Sequence, residues 1–197
     1  APGGSGFGTV HFDAAGGAHF KGALADGTKF NQRIPVSKNG LVPFYLPLYN
    51  GSGSLLSWLQ LTNNSVSGDA IWIKKAAAKG LYQGGFTNIG TINGSSYSST
   101  NASILDIHQG IVTLSGGDLN GALTNDVTVT NNTVTVIGDN QLNLAFKLPT
   151  GLLTGSFVHP ETLKKTLIQG VVLQQQKEAH GFFLGTNQSG AVLLEGN

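Results

Sequence analysis

Along most of this chain apolar and polar side chains exchange places every second residue. Phe7-Gly8-Thr9-Val10-His11-Phe12, Val127-Thr128-Val129-Thr130, Thr133-Val134-Thr135-Val136 and Leu142-Asn143-Leu144-Ala145-Phe146 all follow this rule. A period of two sends successive side chains to opposite faces of an extended strand, so each segment predicts a strand with one packed and one wet face. Between such segments stand Asp26-Gly27, Asn39-Gly40, Asn50-Gly51, Asn93-Gly94 and Asn120-Gly121. Asn or Asp followed by Gly accepts the positive φ of tight hairpins, so these pairs predict antiparallel neighbours and a meander.

Helical patterning is weak by comparison. Lys74-Lys75-Ala76-Ala77-Ala78-Lys79 has helix-forming residues but is stopped by Gly80, too early for a stable helix. It is expected to be a loop, and Pro160-Glu161-Thr162-Leu163-Lys164-Lys165 a hairpin connection. A faint echo links Phe20-Lys21-Gly22-Ala23-Leu24, with Gly40-Leu41-Val42 after it, to Leu153-Thr154-Gly155-Ser156-Phe157, followed by Gly170-Val171-Val172-Leu173. Glycine within a strand marks bends, bulges or close backbone approach, the means by which a sheet coils. The expected fold is therefore all-β, an antiparallel meander forming a barrel-like or strongly curved two-half sheet. Its halves are residues 1–90 and 91–197, packed as one structural unit, with the Ser-rich stretch Ser95–Thr100 near the joint.

Composition narrows the setting. In 197 residues there is no Cys and no Met, only 11% are charged, and Gly occurs 29 times. Lack of Cys removes disulfides, thiolate metal sites and Cys nucleophiles, and lack of both sulfur residues removes the side chains that oxidants attack first. The net charge of +1 leaves no basic footprint for nucleic acid, and no apolar run is long enough for a membrane helix. Neither nucleic-acid binding nor membrane insertion is expected. Ala1-Pro2-Gly3-Gly4-Ser5-Gly6 lacks the regions of a signal peptide, which suggests a processed or excised piece of an exported protein, extracellular or on the cell surface.

Six segments together carry a resemblance: Gly6–Val10, Gly22–Phe30, Pro35–Gly40, Pro47–Tyr49, Gly53–Trp58 and Gly181–Gly190. Over nearly its whole length the chain resembles an uncharacterised all-β module of large exported, cell-surface bacterial proteins. Those proteins often carry immunoglobulin-like or other surface repeats. The resemblance implies a secreted or surface context and brings no catalytic motif. It also implies a further apolar strand upstream of Gly6, so that a strand from another subunit would fill the slot left in the sheet.

Candidate chemistry is sparse. Tyr45, Tyr49, Trp58, Trp72 and Tyr82 lie in the first half and are candidates for stacking on sugar rings; for Trp58 and Trp72 the competing expectation is burial in the core. Asp118, Asn120, Asn125 and Asp126 offer the oxygen ligands that Ca²⁺ takes, without an EF-hand spacing. His11 and His19 are expected to face each other across a turn that contains Asp13. Asp106 and His108 are expected to share one face of a strand, without the Gly-x-Ser-x-Gly elbow of a hydrolase. The acids, Asp13, Asp26, Asp118, Asp126 and Asp139 among them, fall mostly at predicted turns. Asn50, Asn63, Asn93, Asn101, Asn131 and Asn187 begin glycosylation sequons that arise easily in so Asn-rich a chain.

These readings converge on a non-enzymatic structural or adhesive module that needs no cofactor and no metal. Its expected partners are other modules of the same surface protein or copies of itself, joined by strand addition. The alternative is a carbohydrate-binding module that holds polysaccharide on exposed aromatic rings.

Overall fold

The computed structural model describes residues 1–100, 103–138 and 141–197; Asn101 and Asp139 lie outside them. Strands account for 60% of the chain and helix for 2%, so the all-β, barrel-like expectation holds. The chain divides into two compact units, one built from Ala1, 8–22 and 29–96, the other from 2–7, 23–28 and 97–197.

The first unit contains two sheets. Strands β1 (Phe7–Phe12), β2 (Gly17–Ala23) and β3 (Lys29–Pro35) form one in sequence order. The other, also in sequence order, consists of β4 (Leu41–Leu48), β5 (Gly53–Leu61), β6 (Ser65–Lys74) and β7 (Phe86–Ser95). In β4 the alternation is strict: Val42, Phe44, Leu46 and Leu48 are buried while Leu41, Pro43, Tyr45 and Pro47 face outward. Phe44 joins the sheets, meeting Phe20 of β2 edge-on at 5.0 Å and Phe30 of β3 at 6.0 Å between ring centroids. Such aromatic pairs add to the stabilisation that burial gives this core.

The second unit is one eight-stranded antiparallel sheet, nearly closed into a barrel. It comprises β8 (Gln109–Gly116), β9 (Leu123–Thr130), β10 (Thr133–Ile137), β11 (Asn143–Lys147), β12 (Leu152–His159), β13 (Lys164–Leu173), β14 (Glu178–Leu184) and β15 (Ser189–Gly196). The order runs β10-β9-β8-β15-β14-β13-β12-β11, and the terminal strands β10 and β11 come to lie side by side. Its interior holds Leu114, Leu153, Phe157, Ile168, Phe183 and Leu194. Strand glycines supply the curvature. Gly170 and Gly181 stand opposite each other on β13 and β14, and a Cβ on Gly181 would lie 2.2 Å from the Gln169 carbonyl oxygen and 2.8 Å from Gly170 Cα. On β14 Phe182 and Phe183 are both buried although they point to opposite faces. Phe183 fills the interior, and Phe7 stacks on the outer Phe182 at 6.0 Å. The segment 2–7 is tied down by Ser5 N donating to Gly181 O (3.0 Å) and Ser189 Oγ donating to Gly3 O (2.8 Å).

The turn chemistry needs correction in two places. Asn50-Gly51 makes the β4–β5 hairpin with φ of 54° and 86°, and Asp26-Gly27 turns β2 into the start of β3, as expected. Asn39-Gly40, however, carries the chain from one sheet to the next, because β3 and β4 belong to different sheets. Asn93-Gly94 is no turn at all: both residues are extended in β7, opposite Ser67 and Val66. Pairing with β6 over the full length of β7 overrides the local preference of the dipeptide.

Candidate functional site

The outer face of the four-stranded sheet carries an apolar band, flanked by polar residues such as Asp69, Thr91 and Asn93. Its cross-strand register aligns Tyr45 with Leu56, Leu56 with Ile71 and Ile71 with Ile89, one residue from each strand. Directly opposed residues of an antiparallel pair point to the same side, so these four form one apolar row across the whole sheet. All four are exposed: Tyr45 by 49%, Leu56 by 42%, Ile71 by 44% and Ile89 by 75%. Beside the row stands the pair Pro43 and Trp58, the indole 68% exposed, with Leu41 beyond it on β4. An apolar stripe that crosses every strand differs from the single exposed apolar residues of ordinary surfaces.

The five aromatic candidates divide between two places. Tyr45 and Trp58 belong to the outer face. Tyr49, Trp72 and Tyr82 instead build a packed corner around Phe86 and Lys74. Trp72 is only 7% exposed; its Nε1 donates to Tyr49 Oη at 3.0 Å, and its ring meets Phe86 edge-on at 4.9 Å. Tyr82 meets the same Phe86 at 5.4 Å. Lys74 is buried with its ammonium over the Tyr49 ring, 5.3 Å from the centroid, and donates to the carbonyls of Leu81 and Tyr82. The side chain thus replaces its lost hydration with a cation–π contact and two carbonyls, and pins the loop 75–85; the loop expected over Lys74–Lys79 therefore holds from Lys75, whereas Lys74 ends β6.

At the turn between β1 and β2, the rings of His11 and His19 stack at 4.7 Å, as the turn around Gly16-Gly17 suggested. Asp13 is the hub: its carboxylate accepts from Arg33 Nε (2.7 Å), from the backbone N–H groups of Ala15 and Gly17 (2.9 Å each), and faces His19 Nε2 at 2.8 Å. The Arg33 guanidinium, the Gly17 N–H and His19 hold this carboxyl well below the usual carboxylate range.

In the barrel unit an open cleft of about 630 Å³ is lined by Asp106, His108, Gln109, Lys177, Glu178 and Glu195, among others. Asp106 and His108 do not share a strand face, for they precede β8 in irregular chain. The Asp106 carboxylate faces Lys177 Nζ at 2.7 Å, which lowers its pKa, and Glu178 Oε2 lies 2.8 Å from His180 Nε2. The opposite end of the sheet carries a polar clamp: Asn120 N donates to Glu161 Oε1 (2.7 Å), and Asn187 N to Asp118 Oδ2 (2.8 Å). The buried His159 there places Nε2 2.9 Å from Gly117 O and Nδ1 3.1 Å from Glu161 Oε2. Asp118 and Asn120 therefore lie in the β8–β9 connection, whereas Asn125 is buried on β9 and Asp126 exposed on its other face. The four calcium candidates do not converge. Among the described residues no three His, Asp or Glu side chains are grouped as metal ligands would be.

Comparison with family models, with curated proteins and with solved structures finds no match to this chain. The face must be interpreted from its own residues. Leu56, Ile71 and Ile89 escaped the sequence reading, although a signal was present: Leu55-Leu56 and Ile71-Trp72-Ile73 are apolar at both parities, which a strand with one wet face would not be.

Proposed function

We propose that this chain is a non-enzymatic structural or adhesive module of an exported bacterial surface protein, and that its working surface is the outer face of β4–β7. The observation that carries this reading is the row Tyr45–Leu56–Ile71–Ile89 with Trp58 beside it. Apolar area left in water costs roughly 25 cal/mol per Å², so covering such a row with another module or another copy gains free energy, with the Asp69 carboxylate left at its border. The row offers no ionisable group besides the Tyr45 phenol. A chain without sulfur and with little charge is suited to the outside of a cell, which supports the same setting.

Trp58 and Tyr45 also favour a second reading. Two exposed rings on neighbouring strands could stack on the faces of sugar rings in a polysaccharide. The two readings separate in one titration. Trp72→Phe leaves Trp58 as the sole indole reporter. In the adhesive reading its emission becomes shielded from acrylamide as protein concentration rises, and soluble polysaccharides leave it unchanged. Shielding by polysaccharide at low protein concentration would select the sugar-binding reading; no shielding by either would sink both.

A further inference from the structure

The strands at the margins of the three sheets are not treated alike. In the barrel, β10 and β11 lie beside each other and screen one another. Strand β3 carries Lys29, Arg33 and Pro35, and β4 carries Pro43 and Pro47; charges and prolines are the devices that stop a margin from recruiting another strand. Strand β1 is six residues long, and its first residue, Phe7, is stacked on Phe182. Strand β7 has none of these protections. Its ten residues, Phe-Thr-Asn-Ile-Gly-Thr-Ile-Asn-Gly-Ser, include no charge and no proline, and among the described residues it has a ladder partner on the β6 side only. The apolar row of the outer face also ends on this strand, at Ile89, the most exposed of its four residues.

A row of free N–H and C=O groups is complemented by another extended strand, and an uncharged strand repels none, least of all its own copy. We propose that this protein forms a two-fold symmetric dimer in which β7 pairs antiparallel with β7 of a second copy, in the register that sets Ile89 opposite Ile89. Any antiparallel register that matches residues of like parity keeps the two outer faces on the same side. Among these, the register centred on Ile89 joins the two rows end to end, as Tyr45–Leu56–Ile71–Ile89 followed by the same residues in reverse. It also sets Thr87 opposite Thr91 and Phe86 opposite Ile92. One sheet of eight strands results, with an apolar stripe twice as long, and two isoleucine side chains leave water against each other. The proposal names a partner for the adhesive module described above, but it depends on the β7 margin, whereas adhesion depends on the face.

The chain has no native Cys, so single cysteines report on this register directly. Directly opposed Cβ atoms of an antiparallel pair lie about 4.5–5.5 Å apart, close to disulfide reach. Mild oxidation of Ile89→Cys is expected to give a covalent dimer in high yield. Thr91→Cys alone should form no disulfide-linked dimer, and a mixture of Thr87→Cys with Thr91→Cys should cross-link. In sedimentation equilibrium the wild type should associate reversibly between micromolar and millimolar concentration. Ile89→Lys, which sets two like charges side by side at an exposed position, should weaken this roughly tenfold or more. Added to Ile89→Cys, Trp58→Ser should leave the β7 cross-link intact while weakening contacts made through the face, which separates failure of the dimer from failure of the adhesive reading. A wild type that stays monomeric, or a dimer that survives Ile89→Lys while Ile89→Cys fails to cross-link, would overturn the proposal.

Discussion

Two tryptophans in one sheet, on adjacent strands, have opposite fates because of parity. Trp72 shares the inward face with Leu55, its cross-strand neighbour, whereas Trp58 pairs with Pro43 on the outside. The sequence favoured the core for both, which holds for Trp72 and fails for the 68% exposed Trp58, since Trp58 lies between Ser57 and Leu59 and the inward parity of β5 is settled only by pairing. Trp72→Ala should cost about 3–5 kcal/mol in urea unfolding. Trp58→Ala should stay within about 0.5 kcal/mol of wild type, as expected of an exposed position that binds a partner rather than the core. Equal costs for the two would contradict the assignment of faces. Asp13 makes a separate prediction at this scale. Its carboxyl is held well below the ordinary value by Arg33, the Gly17 N–H and His19, so folding prefers the ionised form. The stabilisation is complete above the unfolded value of about 3.9 and is lost as pH falls towards the depressed folded value. Wild type should thus be more stable than Asp13→Asn at pH 7, and the difference in urea midpoint should shrink below about pH 4. A difference independent of pH would show that the hub acts by shape alone.

At the scale of elements, what was legible was whatever a short window determines. Period-two patterning placed β1 and the β9–β10 pair, and Asn50-Gly51 marked its hairpin, because these depend on neighbours along the chain. Asn93-Gly94 misled, because membership of β7 is decided by β6, about twenty residues earlier in the chain, and not by the dipeptide. The barrel was foreshadowed by Gly155 and Gly170, since a glycine that interrupts a strand needs a physical reason. That reason is crowding: backbone atoms of the neighbouring strands occupy the space of a side chain at Gly170 and Gly181. Gly181→Ala should therefore destabilise the chain by about 1–3 kcal/mol in chemical denaturation. Gly84, where nothing lies within reach of an added Cβ, should accept Ala at little cost. If Gly181→Ala unfolds at the wild-type midpoint, crowding does not set the curvature.

At the scale of the whole molecule, labour is divided between two units of different construction. The barrel unit holds the polar clamp of buried His159 with Glu161 and an open cleft in which Asp106 pairs with Lys177. The first unit holds the apolar face. Sequence composition led only to a surface module with few charges; it left the working surface unresolved, because the doubled apolar parity of Leu55-Leu56 and Ile71-Trp72-Ile73 hints at two covered faces but only strand pairing aligns the four residues in one row. The central claim is that this row, and not the cleft, makes the adhesive contact. The most direct test immobilises the chain on a microbalance and measures retention of further copies by three proteins, all in an Ile89→Lys background that removes pairing through β7. These are the otherwise unchanged chain, a face variant carrying Trp58→Ser and Ile71→Thr, and a cleft variant carrying Asp106→Asn. The account predicts retention by the otherwise unchanged chain and the cleft variant and a loss of roughly tenfold or more in the face variant, in keeping with the few exposed aromatic and aliphatic anchors that dominate such contacts. Undiminished retention by the face variant, or loss confined to the cleft variant, would contradict it.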